Sequence, residues 1–217
     1  MKQNLNYKSF KTGAVITMLS GIILLAASFS IGKIPLFLML NTNLGTFADW
    51  FFHYYTNAGD GLVWIAVLLI VVFILKRKDL LPLLISSFIL VTIFTQICKY
   101  IIVPDEPRPI KAIADTSLIH TVPGVELHTI SSFPSGHTAA AFAFYLLFCL
   151  MLPQSWWLIA GLILALLVGY SRVYLAQHFP VDVGAGMVVA FLSVWLSLFV
   201  QAYFVKRRAL KKAKAEI

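Results

Sequence analysis

Charge is what this chain has least of. Only 12% of its 217 residues are Asp, Glu, Lys or Arg, while 60% are hydrophobic. Soluble domains sit near about 25% charged and about 45–50% apolar, so the composition excludes an ordinary soluble domain and reads as a membrane protein. Acidic residues are scarcest, nine in all, too few and too scattered for the carboxylate cluster of a two-metal hydrolase. Two cysteines, Cys98 and Cys149, both fall inside apolar runs. They exclude a disulfide framework and read as small buried hydrophobes. The net charge of +8 is carried by short basic clusters between apolar runs, the pattern of cytoplasmic membrane loops rather than of a nucleic-acid surface.

What is present is a series of apolar runs of span length. Six are read, at about residues 14–32, 61–75 (extended backwards, with Asp60 marking its start), 80–102, 133–152, 156–174 and 181–205. The first is longer than the core of a secretory signal and reads as a retained span. Residues 34–55, with "LFLML" and "DWFFHYY", read as an interfacial helical segment after it. No repeat or second domain is visible, so residues 1–217 are expected to form one membrane-embedded unit with a basic tail at 206–217. With six spans, the basic clusters at Lys2, Lys8 and Lys11, at Lys76, Arg77 and Lys78, and after residue 205 all fall on one side. The positive-inside rule makes that side, and both termini, cytoplasmic. A bacterial inner or plasma membrane is the expected setting. Seven of the nine acidic residues (all but Asp79 and Glu216) and all five histidines (His53, His120, His128, His137, His178) then lie on or near the outer side. Chemistry is expected there.

Three stretches meet at that outer face: "CKYIIVPDEPRP", "FPSGHT" and "SRVYLAQHFPVD". In the second, Pro134 suits the first turn of a helix, because its missing N–H would have no partner there. Ser135 and Gly136 would leave free donors at that helix start, where an anion is favoured. The alternative is a plain helix start, with Ser135 as cap and His137 as an interfacial anchor. In the third stretch, Arg172 stands at the end of a span, where a charge is costly. His178 precedes Asp182 by four residues, a spacing that permits a carboxylate to orient the imidazole and stabilise its cation. The first stretch supplies Lys99, which alternatively snorkels to the surface, and Arg108, held between Pro107 and Pro109 and suited to a bidentate grip on phosphate. The set describes an anion site with a candidate nucleophile and a candidate acid, and metal-free phosphoryl transfer is the chemistry that fits it.

These motifs resemble the type 2 phosphatidic acid phosphatases, whose core is shared with vanadium haloperoxidases and glucose-6-phosphatase. "PSGH" and the Ser-Arg-x5-His-x3-Asp pattern are matched completely, and the likeness covers about residues 50–205. Eight residues separate Lys99 from Arg108, two more than the family's commonest spacing, which shifts Lys99 along its helix. The resemblance implies an all-α bundle and a phosphohistidine on His178, with Asp182 orienting its ring. His137 would protonate the leaving group, and Lys99, Arg108, Arg172, Ser135 and Gly136 would hold the phosphate. No metal, cofactor or obligate protein partner is implied.

The expected substrate is a membrane lipid phosphate: undecaprenyl diphosphate, phosphatidylglycerol phosphate, phosphatidic acid or lipid A. The loop at 103–132 is long for a connector and is placed to shape the head-group pocket. Two other classes stand beside this reading. A non-enzymatic anion channel or transporter would need polar groups deep in its spans, and the spans are nearly bare of charge. A phosphatase of soluble esters differs only in substrate.

Overall fold

The computed structural model describes residues 5–215, so Lys2 and Glu216 lie outside the described residues. Among the described residues nine α-helices follow one another: α1 (Tyr7–Ile31), α2 (Lys33–Leu40), α3 (Thr46–Tyr55), α4 (Gly61–Leu69), α5 (Leu81–Ile97), the one-turn α6 (Pro109–Ala112), α7 (Gly136–Met151), α8 (Trp157–Tyr174) and α9 (Pro180–Ala215). A 3-10 turn, Thr56–Gly59, links α3 to α4, and π-helical turns extend α4 through Ile74 and α5 through Ile102. Among the described residues there are no strands, and four helices are long and apolar enough to cross a membrane. A fifth span is counted if Thr46–Gly59 and Gly61–Ile74, bent by 63°, form one. The protein is therefore an all-helical integral membrane protein.

Several boundaries differ from those read in the sequence, each for a local reason. The segment read as interfacial is not one helix but two, α2 and α3, broken at residues 41–45 where Gly45 takes a φ of +91°. Asp60 does start a helix: its carboxylate accepts the N–H of Leu62 at 2.9 Å. The fourth apolar run begins three residues later than expected, at Gly136, and its helix has 16 residues. It is short but almost wholly enclosed, since most of its residues from Thr138 to Met151 are buried. The last helix does not stop at the apolar boundary but runs through the basic residues to Ala215, whose Lys and Arg side chains suit a helix C-terminus.

α7 is the centre of the bundle and packs on α1, α5, α8 and α9. Close approach is permitted by glycine. A Cβ at Gly186 on α9 would lie 2.7 Å from the Ser135 carbonyl oxygen and 3.0 Å from Thr138 Cβ, so a larger residue would push the start of α7 away. Some polar groups in the apolar layer are paired across helices. Ser87 donates to Ser197 at 2.7 Å, and Gln201 of α9 accepts from the Leu83 N–H while donating to the Asp79 carbonyl. Such pairing is required where no water reaches. Large apolar side chains such as Ile23, Phe29, Ile159 and Phe199 face outward, as a lipid-facing surface demands.

One buried side chain anchors the C-terminal end of α8. Asn41, 3% exposed, shares its amide hydrogens among the carbonyls of Val173, Tyr174 and His120 and accepts the His120 N–H at 2.8 Å. It thereby fixes the helix end from which residues 175–178 depart. Asn41→Leu should lower stability in detergent by about 2–3 kcal/mol, a Tm loss of roughly 5–10 °C by thermal unfolding, because buried groups lose their partners. An unchanged Tm would show that these bonds do not hold the helix end.

Candidate active site

The Ser131–His137 corner is built by a helix cap. Pro134 lies before the helix, in a cis peptide with Phe133, rather than in its first turn. Either place suits proline, since neither needs its N–H. Ser135 is the cap itself: its Oγ accepts the Thr138 N–H at 3.3 Å and the Thr138 hydroxyl at 2.9 Å, and the residue is fully buried. What its side chain retains for a ligand is its own O–H. Gly136 and His137 occupy the first helical positions, where backbone N–H groups have no acceptor within the helix. A Cβ at Gly136 would meet nothing within 4 Å, so the space before this helix start is open.

The end of α8 turns sharply beside it. The N–H groups of Gln177 and His178 both donate to the Arg172 carbonyl, at 2.9 and 3.0 Å, and Ala176 takes a φ of +54° to make the turn. This brings His178, 2% exposed, beside Asp182 at the start of α9. The His178 Nδ1 lies 3.5 Å from Asp182 Oδ2 and has no hydrogen-bond partner. The same carboxylate oxygen accepts the Ser132 hydroxyl at 2.5 Å and the Phe179 N–H at 2.9 Å. Burial, followed by the charges of Arg108, Arg172 and Lys99, holds the His178 imidazole well below its usual pKa. The ring is thus kept neutral, with a lone pair available.

The cations are held in place by carbonyl and hydroxyl groups. Arg108 donates from Nε to the Ile130 carbonyl at 2.9 Å, and from Nη1 to the carbonyl and side-chain oxygens of Gln177 at 3.1 and 3.0 Å. Its fork is oriented, with Nη2 left over. Arg172, 7% exposed, donates from Nη1 to Thr56 Oγ1 at 2.6 Å, and its buried Nε has no partner. Lys99 sits in the π-turn Cys98–Ile102, half-buried, within electrostatic reach of Arg108, Arg172 and Asp182. That wider turn takes up an extra residue, one place where the longer spacing to Arg108 is absorbed. The long loop is closed at its base by Arg108 N–H to the Thr129 carbonyl and Ser132 N–H to the Glu106 carbonyl.

The structure therefore brings His137, His178, Asp182, Arg108, Arg172, Lys99, Ser135 and Gly136 to one end of the bundle. A cavity of about 240 Å³ opens there, lined by His137, Arg172 and Gln177 on one side and His53, Asn57 and His128 on the other. His120 stands apart, bound to Asp49 at 2.9 Å. Three positioning residues were not singled out in the sequence: Gln177, which holds Arg108; Ser132, which holds Asp182; and Thr56, which holds Arg172. Gln177 lies inside a quoted motif stretch and Ser132 immediately before one, which was the only signal; Thr56 gave none.

With this geometry in view, the chain can be compared with known proteins. It is 29% identical over 166 residues to an undecaprenyl-diphosphatase of Sulfolobus acidocaldarius, covering 75% of this chain and 77% of that one. It is 26% identical to a lipid A 4'-phosphatase of Bacteroides thetaiotaomicron, over 69% of this chain and 70% of the relative. The crystal structure of Aquifex aeolicus LpxE superposes with a TM-score of 0.65 at 29% identity, covering 76% of this chain and 94% of that chain. Residues 80–206, which include both histidine motifs, match the PAP2 superfamily, and the chain belongs to it.

Proposed function

We propose that the protein is a membrane lipid phosphatase that removes phosphate from a lipid diphosphate or phosphate monoester at the outer membrane face, through a phosphohistidine. The observation that carries this reading is the buried, neutral His178 with Asp182 at its Nδ1 and two oriented guanidinium groups around it. The Nε2 lone pair of His178 attacks phosphorus, forming the P–N bond as the P–O bond to the leaving group breaks. His137 gives its proton to the departing oxygen. Asp182 stabilises the positive charge that develops on the His178 ring. Arg108, Arg172, Lys99, the Ser135 hydroxyl and the Gly136 N–H hold the equatorial oxygens, where charge gathers. Water then attacks phosphorus and gives a proton to His137; the P–N bond breaks and inorganic phosphate departs. The charge is met by the protein's own cations, and the reaction is proposed to need no metal.

The favoured substrate class is a lipid diphosphate. Undecaprenyl-diphosphatases occur among the relatives, and the polar cavity offers room beyond a single phosphate for a second one on the leaving side. Lipid A phosphate is the second reading, favoured by the likeness to LpxE and to the Bacteroides lipid A phosphatase. We further propose six spans, counting the enclosed α7 as the fourth and the bent α3–α4 unit as the second, with both termini inside and the site outside. The Lys76–Lys78 turn and the basic end of α9 support that orientation.

His178→Ala should abolish phosphate release from undecaprenyl diphosphate by purified, folded protein in detergent, while excess chelator leaves the unmutated protein active. Turnover by the variant would remove the nucleophile, and a strict divalent-ion requirement would remove the metal-free step. For orientation, a cysteine at Thr121 should react with an impermeant maleimide added to intact cells, whereas one at Lys211 should react only after lysis; the reverse pattern inverts the topology.

A further inference from the structure

An apolar groove of about 350 Å³ runs down the flank of the bundle between α4 and α8, with α7 as its floor. Val67, Ala141, Phe144, Ala165 and Val168 line it, and Leu164 and Ala58 form its exposed rim. Beside it, Trp64 of α4 packs on Phe144 and Phe88 with ring centroids at 4.4 and 5.4 Å. At its inner end the rings of Phe148 and Trp157 meet at 5.3 Å. Trp157 lies on Gly161, where a Cβ would come within 2.5 Å of the indole. Val168 stands eleven positions after Trp157 on α8, so the groove extends about 16 Å along the helix.

We infer that this groove holds the apolar chain of the leaving lipid. The inference rests on the proposed phosphatase reading and adds where, and by which helices, the substrate's chain is bound. The argument is one of direction. In phosphoryl transfer the attacking and leaving atoms stand roughly in line, so the chain departs on the side opposite His178, where His137 waits. The groove ends on that side. A Cβ at Gly59 would lie 2.7 Å from the His137 carbonyl oxygen and 2.7 Å from Val168 Cγ1, so one glycine separates the His137 backbone from the groove wall. The 3-10 turn containing Gly59 divides two kinds of space. Thr56 and Asn57 line the polar cavity that includes His137 and Arg172, while Ala58 and the preceding Tyr55 line the groove. A phosphate in the first compartment and a chain in the second is the arrangement that an amphiphilic leaving group requires. A second apolar cavity, about 260 Å³ against Leu166, Pro180 and Val183, lies on the nucleophile's side, and in-line displacement excludes it as the chain's place.

The test fills each cavity in turn and compares two diphosphates that differ in chain alone: undecaprenyl diphosphate and the water-soluble isopentenyl diphosphate. Ala165→Phe obstructs the groove from its buried wall. Ala58→Trp obstructs it from the exposed rim, where folding is not at risk, and Leu166→Trp obstructs the second cavity. Either groove variant should lower kcat/KM for the long-chain substrate by about tenfold or more. The same variants should leave the short-chain substrate within about twofold, and Leu166→Trp should leave both within that range. Three results overturn the inference: long-chain turnover untouched in Ala58→Trp, equal loss on both substrates, or the selective loss appearing in Leu166→Trp. Absence of phosphate release from either substrate by the unmutated protein defeats the phosphatase reading instead.

Discussion

One backbone hydrogen bond joins the two halves of the site: the Ser135 N–H donates to the Asp182 carbonyl at 3.0 Å. Ser135 caps α7 and Asp182 lies in the first turn of α9, so this bond sets one helix start against the other. It is possible because Gly186 lets the Ser135 carbonyl approach α9 to a distance no Cβ tolerates. The Asp182 side of the site is tied to that pairing. Ser132, three residues before Ser135, reaches the Asp182 carboxylate, and the carboxylate in turn holds the Phe179 N–H and faces the His178 ring. Two motifs far apart in sequence thus become one corner, with an imidazole on each side of an open space.

The second constraint is electrostatic. Arg108 and Arg172 are both nearly buried, and the desolvation of a buried ion costs several kcal/mol. Each is only partly compensated, by carbonyls of Ile130 and Gln177 or by the Thr56 hydroxyl, none of which carries a negative charge. Two carboxylates act on them without a direct ion pair, Asp60 on Arg172 and Asp182 on Arg108, and Asp182 is already engaged by Ser132 and Phe179. Arg172 Nε is left buried and without a partner. A site with more cation than anion, and with donors to spare, is poised for a ligand that brings its own negative charge. Burial first, and then the same excess of cations, keeps His178 neutral, which is the state a nucleophilic imidazole needs. The charge imbalance thus serves binding and adds to what burial does for reactivity.

Much of this was legible in the sequence because apolar run length and motif spacing survive folding. The long helices α1, α5, α8 and α9 follow from their apolar runs, and Asp60 marked the beginning of α4. What was hidden depends on choices that a sequence leaves open. Proline suits a position before a helix cap as well as the first turn, so Pro134 did not reveal where α7 begins. Gly45 marks the break between α2 and α3 locally, but Asn41 turning inward to α8 is a long-range contact with no local signature. The basic tail continues α9 because Lys and Arg are good helix formers, although their charge suggested a boundary. The partners that aim the site, Gln177, Ser132 and Thr56, are ordinary polar residues until the chain brings them to Arg108, Asp182 and Arg172.

The central claim is that phosphorus is carried on His178 between the two half-reactions, and it is tested most directly by trapping the intermediate. Protein mixed with labelled undecaprenyl diphosphate, quenched during turnover in base and digested, should yield a peptide with an acid-labile phosphate on His178 by tandem mass spectrometry. Phosphate found on another residue, or turnover with no phosphorylated protein at any time, would contradict the account.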